Sequence, residues 1–253
     1  MSNQEKKEFW NSRAQQGEFA GTNDLNIKKI ELTEIEKYFC DNLNILEIGC
    51  GNGESAEYFA SKFKVNIDAT DFAEKMVTAA TERVNLRESL LGKVNFQVAD
   101  IRNFDTDKKY DLIYSQRSLI NLDSWQEQQL AIVKILDWLK PGGSFVMCEN
   151  SLDGLNQINF YRKALGLEDI LPPWHNQYFR EAEVETIQVQ GVSLQLISFS
   201  STYYFLSRVV NAALASQKGE TPAYDSPINH LAFKLPSINS AGQTKLWVWR
   251  KDA

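Results

Sequence analysis

The first 150 residues alternate between short apolar runs and longer amphipathic stretches. A short apolar run bounded by turn residues predicts a buried β-strand, whereas apolar residues at spacings of three and four predict an α-helix. The predicted strands cover residues 45–48, 65–71, 94–101, 110–115 and 144–149, and the predicted helices cover 54–62, 73–84 and 124–139. Strands that alternate with helices in this order indicate an α/β fold with a parallel sheet.

The pattern differs at both ends of the chain. Before the first strand, Ile27, Ile30 and Ile35 have helical spacing and predict a helix over residues 25–40. After Asn150, a short helix, an aromatic loop (LPPWHNQYFR) and a longer helix interrupt the strand pattern. We predict one domain, residues 1–253, whose parts are an N-terminal helical segment 1–44, a core 45–150, insertions 151–181 and 200–241, and last strands within 184–199 and 244–250.

Composition narrows the classes of function. The chain has 253 residues, a net charge of −6 and a pI of about 5.1, without a lysine–arginine run, which disfavours a nucleic-acid partner. The polar start MSNQEKKEFW and the lack of an apolar run of about 20 residues predict neither a signal peptide nor a membrane span. Cys40, Cys50 and Cys148 have no metal-binding spacing and indicate reduced thiols. We expect a cytoplasmic protein without a metal, and its oligomeric state stays open.

The stretch ILEIGCGNG at residues 45–53 places Glu47, Gly49, Gly51 and Gly53 at alternate positions before the predicted helix 54–62. A strand, a glycine turn and a helix in this order bring bare backbone N–H groups to the carboxyl end of a parallel strand, where open α/β sheets bind ligands. A dinucleotide site would space its glycines G-x-G-x-x-G. The alternate spacing and the Glu47 carboxylate favour a ligand with a positively charged group. A glycine turn without a ligand is the structural alternative.

Two further carboxylates and a helix–turn–strand unit accompany the glycine turn. Asp71 ends the second predicted strand, Asp100 lies at the end of the third, and LKPGG at 139–143 joins a helix to the fifth strand. Residues 40–150 therefore resemble the class I S-adenosylmethionine-dependent methyltransferases of the small-molecule type. The resemblance implies a Rossmann-like fold with a seven-stranded, mostly parallel sheet, an antiparallel last strand, helices on both faces and substrate-cap insertions. It also implies that residues 1–44 form a lid over the ligand site.

The resemblance implies S-adenosyl-L-methionine as cofactor and S-adenosyl-L-homocysteine as product. Asp71 would accept the ribose hydroxyls, Asp100 the adenine amino group, and Arg13 would bind the cofactor carboxylate. The implied cofactor-binding residues are Trp10, Arg13, Glu47, Gly49, Cys50, Gly51, Gly53, Asp71, Phe72, Met76, Asp100, Ile101 and Gln116. Structural alternatives remain open: Asp71 could cap the helix 73–84, Asp100 could be an acidic loop residue, and Trp10 and Arg13 could lie on a surface helix.

Methyl transfer depends on alignment of the reactants and exclusion of water. A hydroxyl acceptor also needs a base, whereas a neutral amine or an ionised oxygen does not. The predicted catalytic residues are His175, Arg117 and Tyr178, and the predicted acceptor-binding residues are Arg117, Glu149, Trp174, His175 and Tyr178. Arg117 would bind an anionic acceptor, and His175 would take a proton.

Each of these residues also has a structural alternative. Arg117 could instead form a salt bridge with an acid such as Asp123, His175 could be a hydrogen-bonded loop residue, and Glu149 could pair with an arginine. His230 is a weaker candidate for a base. Three arginines in the insertions could extend the anion site, although each fits a surface charge equally well: Arg162, Arg180 and Arg208.

We therefore predict O-methylation of a small polar, anionic molecule, with a sugar, a sugar phosphate or a glycan end as the acceptor. N-methylation of a small amine is the first alternative. A cofactor-binding protein without transferase activity and a nicotinamide oxidoreductase are alternatives from other classes. The motif of DNA amino-methyltransferases, [DNS]-P-P-[YFW], is absent, because Leu171 precedes Pro172 and Pro173.

Overall fold

The computed structural model describes residues 3–238 and 241–253. Residues 1 and 2 of the predicted lid and residues 239 and 240 of the second predicted insertion lie outside the described residues. The described strands are β1 (Asn44–Ile48), β2 (Asn66–Asp71), β3 (Lys93–Val98), β4 (Tyr110–Gln116), β5 (Leu139–Asn150), β6 (Val192–Ser198) and β7 (Thr244–Lys251). The described α-helices are α1 (Asn3–Arg13), α2 (Leu25–Glu36), α3 (Glu54–Lys62), α4 (Glu74–Asn85), α5 (Trp125–Asp137), α6 (Leu152–Ala164), α7 (Glu181–Glu185), α8 (Ser201–Tyr204), α9 (Asn211–Gln217) and α10 (Pro227–Lys234).

The strands of the described residues form one seven-stranded sheet in the order β3-β2-β1-β4-β5-β7-β6. Strand β7 is antiparallel to both of its neighbours, β5 and β6, and the other paired strands are parallel. This topology confirms the predicted Rossmann-like methyltransferase fold with an antiparallel last strand. The order of the strands places the ends of β3, β2, β1 and β4 next to one another along the carboxyl edge of the sheet, which is where the predicted site residues lie.

Both faces of the sheet are covered, because successive strand residues point to opposite sides. Ile45 and Leu112 pack in an apolar cluster with residues of α2 and α3 on one face. Leu46 and Ile113 pack in a second cluster with residues of α5 on the other face. The sheet is therefore buried between helices, as the continuous apolar runs of its parallel strands predict.

The structure adds details to the sequence prediction. In residues 184–199, where one or two strands were expected, one strand forms, β6, and the chain up to Glu185 is helical in α7. The helix α10 was not predicted, and Pro227 at its first turn and the Ser226 cap begin it. On α5, Leu130 and Val133 are exposed, because the helix packs its Ala131, Ile132, Ile135 and Leu136 side against the sheet.

The segments predicted as lid and insertions pack against one another. A small apolar cluster joins Ile27 of α2, Ile158 of α6, Tyr203 and Tyr204 of α8, and Ala232 of α10. A π-helical stretch, Phe205–Val210, links α8 to α9. These segments form a helical layer beside the carboxyl edge of the sheet. In the part of the chain that the structure describes, no helix has the length and apolar character to cross a membrane.

Candidate functional site

An open cleft lies over the carboxyl ends of β1 to β4. Its wall contains most of the residues that the sequence implicates in cofactor binding: Trp10, Gly49, Cys50, Gly51, Asp71, Phe72, Met76, Asp100, Ile101 and Gln116. Arg117 lies on the same wall. The cleft therefore brings together residues that are widely separated in the sequence but follow adjacent strands.

The glycine turn after β1 is built from three left-handed residues, with φ values of 73° at Gly49, 52° at Gly51 and 77° at Gly53. A Cβ atom at Gly49 would lie 1.9 Å from the Ser118 hydroxyl oxygen, and one at Gly53 would lie 2.8 Å from the Cβ of Ala80. A Cβ atom at Gly51 would meet nothing within 4 Å. Gly49 and Gly53 are thus needed for packing, and Gly51 leaves open space on the cleft wall, so that a ligand can approach the backbone.

Asp71 holds the glycine turn in place. Its two carboxylate oxygens accept hydrogen bonds from the N–H groups of Gly51 and Ala73, both at 2.9 Å. The alternative role as a helix cap holds in part: the N-cap residue of α4 is Ala73, and its N–H donates to the Asp71 carboxylate. Burial raises the pKa of Asp71 to about 6, although these N–H groups oppose the shift. Each oxygen keeps a second lone pair for a ligand hydroxyl.

Asp100 lies two residues beyond β3, also on the cleft wall. The side chain of Arg102 donates to it through Nε at 2.9 Å and through Nη2 at 2.5 Å. Burial would raise the pKa of Asp100, but the hydrogen bonds from Arg102 outweigh it, and the pKa lies below its usual value. Asp100 is therefore an ionised acceptor at this end of the cleft.

Glu47 lies beneath the glycine turn and does not line the cleft. Its carboxylate accepts a hydrogen bond from the Ser55 hydroxyl, and its second oxygen, Oε2, is buried without a partner among the described residues. Burial raises the pKa of Glu47 to about 7. Glu47 thus makes an internal contact that fixes the start of α3. Its position beneath the turn does not support the predicted direct contact with a ligand.

The N-terminal helix α1 covers one side of the cleft. Trp10 donates through Nε1 to the side-chain oxygen of Asn121 at 3.1 Å, and Lys6 forms an ion pair of 2.6 Å with Asp123. Arg13 is turned away from the cleft, because its guanidinium donates to the backbone oxygens of Phe19 and Ala20, both at 2.6 Å. Trp10 therefore lies where the sequence predicted it, whereas Arg13 does not reach the cleft.

Arg117 follows β4 and has a left-handed backbone, with φ of 50°. Such a conformation is uncommon for a residue with a side chain, and it often marks a functional position. The Nε atom of Arg117 lies 3.1 Å from Oε2 of Glu31, a carboxylate that is completely buried on α2. Arg117 thus pairs with an acid, as the structural alternative has it, but the acid is Glu31, while Asp123 pairs with Lys6 of α1.

Glu149 lies outside the cleft wall. One of its oxygens accepts hydrogen bonds from the Ser115 hydroxyl at 2.9 Å and from the N–H groups of Ser118 and Leu119 at 3.0 and 2.9 Å. The side chain is fully buried, and burial raises the pKa of Glu149 to about 7. Glu149 therefore anchors the turn that follows Arg117, and among the described residues it neither lines the cleft nor pairs with an arginine.

His175 and Trp174 form an aromatic group with the N-terminal helix. The His175 ring lies 4.5 Å from the ring of Phe9 and 5.4 Å from that of Trp10, and Trp174 lies 5.5 Å from Phe9. Burial, with a smaller effect of nearby cations, lowers the pKa of His175 to about 4. His175 is thus uncharged at neutral pH and packs between rings outside the cleft wall.

Tyr178 is buried and also lies outside the cleft wall. Its hydroxyl accepts a hydrogen bond from Gln243 at 3.1 Å, and burial raises its pKa. His230, the weaker base candidate, lies on α10 and contacts Asp225 at 2.6 Å. Neither residue is placed to take a proton from a ligand in the cleft.

Sequence reasoning missed several residues of the site. The cleft wall includes Lys28 and Glu54, and Glu31 contacts Gln116 through a hydrogen bond of 2.7 Å. The available signal was the helical pattern of α2, in which Lys28 and Glu31 share the buried side with Ile27 and Ile35. Charged residues on the apolar side of a helix indicate a buried partner or a ligand.

Part of the chain matches a known protein family and several known relatives. Residues 45–143 match a family model described as a methyltransferase domain. A malonyl-[acyl-carrier protein] O-methyltransferase of Ilyobacter polytropus is 38% identical over 159 residues, which are 57% of this chain and 58% of that protein. A phosphoethanolamine N-methyltransferase of Arabidopsis thaliana is 30% identical over 123 residues, 46% of this chain. The aligned part spans only 24% of that second relative's length.

Solved structures share the fold over nearly the whole chain. The N-methyltransferase NodS of Bradyrhizobium japonicum, in complex with S-adenosyl-L-homocysteine, superimposes with a TM-score of 0.58 at 14% identity and covers 97% of both chains. A DhpI–SAM–HEP complex gives a TM-score of 0.60 at 11% identity and covers 99% of both chains. At these identities the agreement shows the fold alone.

Proposed function

We infer that this chain, which belongs to the class I S-adenosylmethionine-dependent methyltransferases, uses its cleft to methylate a small polar, anionic acceptor. The proposal places the cofactor and the acceptor side by side along the carboxyl edge. Asp100 after β3 would hold the adenine, Asp71 at the end of β2 the ribose, and the glycine turn after β1 the methionine part. Arg117 after β4 would hold the acceptor.

The chemistry of the cleft wall fits this cofactor. Its carboxylates, Asp71, Asp100 and Glu54, suit a ligand that carries hydroxyl, amino and positively charged groups. Gly51 leaves open space beside a bare backbone. When bound, S-adenosylmethionine supplies a methyl group on a sulfonium, and the leaving group departs as a neutral thioether. The residues of this chain would contribute alignment and the exclusion of water.

The position of Arg117 is the observation that carries the assignment of an anionic acceptor. Arg117 lines the cleft, and its Nε atom faces the buried Glu31 carboxylate without the alignment of a hydrogen bond. Among the described residues, no hydrogen bond from the two terminal nitrogens is found, so their N–H groups remain available. A guanidinium fork binds a carboxylate or a phosphate through two parallel hydrogen bonds.

The surroundings of the predicted bases favour an acceptor oxygen that is already ionised. His175 lies between aromatic rings, and the Tyr178 hydroxyl is buried against Gln243. An ionised oxygen attacks without a base, whereas a sugar hydroxyl needs one. We therefore propose O-methylation of a carboxylate in place of a sugar hydroxyl. The Ilyobacter relative, named an O-methyltransferase of a malonyl group, supports this choice because a malonyl group ends in a carboxylate.

N-methylation of a small amine is the second candidate. A neutral amine also attacks without a base. The Arabidopsis relative is named for phosphoethanolamine, which carries an anionic phosphate beside its amine and would suit Arg117 equally well. The choice between the two candidates depends on which atom of the acceptor lies nearest the methyl group.

The lid and cap roles also belong to this proposal. Residues 1–44 would close over the cofactor, because Trp10 and Lys6 of α1 contact the cleft and the turn beyond it. Segments 151–181 and 200–241 would shape the acceptor end, because they pack with α2, which carries Glu31. The apolar cluster at Tyr203 and Tyr204 connects these segments beside β7.

The proposal is tested by methyl transfer to a matched panel of acceptors. The protein is incubated with methyl-labelled S-adenosylmethionine and a malonyl thioester, phosphoethanolamine or a neutral sugar, and products are identified by mass spectrometry. We expect a methyl ester of the malonyl carboxylate and no product with Asp71→Asn. A methylated amine would select the second candidate. Cofactor binding without transfer to any acceptor would indicate a binding protein.

A further inference from the structure

The cleft wall contains three cations among the described residues: Lys28, Arg102 and Arg117. Arg102 is bound to Asp100 beyond β3, and Arg117 faces Glu31 beyond β4. Lys28 lies between them, beside the glycine turn, where it forms an ion pair with Glu54, the first residue of α3. Each cation therefore belongs to a different part of the cleft.

Lys28 projects from α2 and is 8% exposed. Its Nζ atom bonds to the Glu54 carboxylate and to the backbone oxygen of Glu18, the latter at 3.2 Å. An ammonium has three N–H donors, so one donor has no partner among the described residues. Burial lowers the pKa of Lys28, which Glu54 opposes.

Burying an ion pair is costly, and stability alone gives little reason to retain one. This pair lies on the wall of a ligand cleft, so a ligand can benefit from it. A lysine beside a glutamate presents one positive and one negative group. That arrangement is complementary to the zwitterion of an α-amino acid, whose carboxylate and ammonium lie on one carbon atom.

We propose that Lys28 and Glu54 together bind the amino-acid end of the cofactor, Lys28 through its carboxylate and Glu54 through its ammonium. The proposal rests on the proposed function, which supplies the cofactor. It replaces Arg13 as the cation for that carboxylate, since the Arg13 guanidinium is bound to the backbone oxygens of Phe19 and Ala20.

The order of the strands supports this position. Asp100 follows β3, Asp71 ends β2 and the glycine turn follows β1, and these strands are neighbours in the sheet. A cofactor with its adenine near Asp100 and its ribose on Asp71 extends its remaining end across the glycine turn. Lys28 and Glu54 lie at that end of the cleft wall.

The test compares two ligands that differ in the amino-acid end. S-adenosyl-L-homocysteine carries it, and 5′-methylthioadenosine lacks it. Calorimetric titration of Lys28→Met should show S-adenosylhomocysteine binding weakened by about ten- to hundredfold, the loss of one charged hydrogen-bonded contact. Binding of 5′-methylthioadenosine should change by no more than about twofold, as for an independent site. Lys29→Met, an exposed neighbour on the same helix, serves as the matched control.

A second variant separates ligand binding from a purely structural link between α2 and α3. Lys28→Glu with Glu54→Lys keeps an ion pair but reverses its direction. We expect this double variant to fold, to bind 5′-methylthioadenosine and to remain weak for S-adenosylhomocysteine. Three outcomes would overturn this inference but leave the proposed function standing. They are restored binding of S-adenosylhomocysteine in the double variant, equal losses for both ligands in Lys28→Met, and no loss of S-adenosylhomocysteine binding in Lys28→Met. Wild-type protein that binds neither ligand would overturn the proposed function itself.

Discussion

The Arg117 guanidinium faces the completely buried Glu31 carboxylate, with Nε 3.1 Å from Oε2. Glu31 also accepts hydrogen bonds from Gln116 and Thr244, so it joins α2 to the ends of β4 and β7. Burial raises the pKa of Glu31, and the positive charge of Arg117 opposes this shift. Removal of Arg117 would thus leave a buried carboxylate without its cation, which is strongly destabilising.

Arg117→Lys is therefore the informative substitution for the acceptor site. Lysine keeps the charge beside Glu31 but loses the guanidinium fork. We expect the KM of an anionic acceptor to rise by roughly tenfold, as for one lost charged hydrogen bond, and the dissociation constant of the cofactor to stay nearly unchanged. Steady-state kinetics with the acceptor that the protein methylates measures the KM, and calorimetric titration measures the dissociation constant of the cofactor.

Arg180→Lys, at an exposed arginine before α7, is the control for this substitution. Added phosphate should compete with the acceptor in the wild type and less in Arg117→Lys. Equal KM values in the two variants would show that Arg117 acts only as the partner of Glu31.

The sequence predicted those parts of the site that follow directly from local order. A carboxylate that ends a parallel strand must lie at the carboxyl edge, and this placed Asp71, Asp100 and the glycine turn correctly on the cleft. The fold followed from the same alternation of strands and helices. Local patterns suffice there because β1 pairs in parallel with both β2 and β4, so the ends of these strands lie side by side.

The rest of the site depends on contacts between distant parts of the chain. Glu31 meets Gln116 across 85 residues of sequence, and no local pattern reveals such a pair. His175 was predicted as a base because histidine titrates near neutral pH. Its ring, however, packs against the rings of Phe9 and Trp10, which lie near the start of the chain. Arg13 was assigned to the cofactor carboxylate by resemblance to the family. In the structure its guanidinium donates instead to the backbone oxygens of Phe19 and Ala20, a few residues further along the chain.

The aromatic contacts of His175 distinguish packing from catalysis. His175→Phe keeps an aromatic ring between Phe9 and Trp10 but removes both ring nitrogens, one of which, Nδ1, is buried and has no partner in the described part of the chain. We expect turnover to stay within about threefold of the wild type, because general base catalysis contributes about a hundredfold or more where it operates. Turnover and the cofactor dissociation constant are measured for both proteins.

His175→Ala is the companion variant and should lower thermal stability by opening a gap between the rings. A loss of turnover of about a hundredfold or more in His175→Phe, with normal stability, would establish His175 as the base. It would also favour a hydroxyl acceptor over a carboxylate.

Glu47 should make the stability of the fold depend on pH. Its pKa rises from 4.5 to about 7 on burial, so the folded state retains a proton that the unfolded chain releases. The stabilising effect is fully present below about pH 4.5 and is lost as the pH rises through about 7. A shift of this size corresponds to about 3 kcal/mol in the free energy of unfolding.

Glu47→Gln removes this ionisation, and the amide can still accept the hydrogen bond from Ser55. We expect the variant to lose less stability than the wild type between about pH 5 and about pH 8, with a difference of up to about 3 kcal/mol. Urea unfolding at both pH values measures it. Glu82→Gln, at an exposed position of α4, should keep the pH dependence of the wild type. If Glu47→Gln does so too, the Glu47 carboxyl group is not protonated in the folded protein.

The glycines of the turn should separate folding from cofactor binding. An Ala Cβ at Gly49 would lie 1.9 Å from Oγ and 2.4 Å from Cβ of Ser118, whereas one at Gly51 would meet nothing within 4 Å. Both substitutions place a side chain at a positive φ, which costs roughly 1–2 kcal/mol. Gly49→Ala adds a clash that typically costs about 1–3 kcal/mol, so it should destabilise the protein more in urea unfolding.

Ser118→Gly in the Gly49→Ala background removes the clashing atoms and should recover the cost of the clash, while the cost of the positive φ remains. Gly51→Ala should behave in the opposite way, with a modest loss of stability and weaker binding of S-adenosylhomocysteine, because its new methyl group enters the open space beside the ligand. The two variants therefore affect different measurements. Equal destabilisation by Gly49→Ala and Gly51→Ala, or no recovery with Ser118→Gly, would mean that the chain between β4 and Ser118 moves away from the turn at little cost.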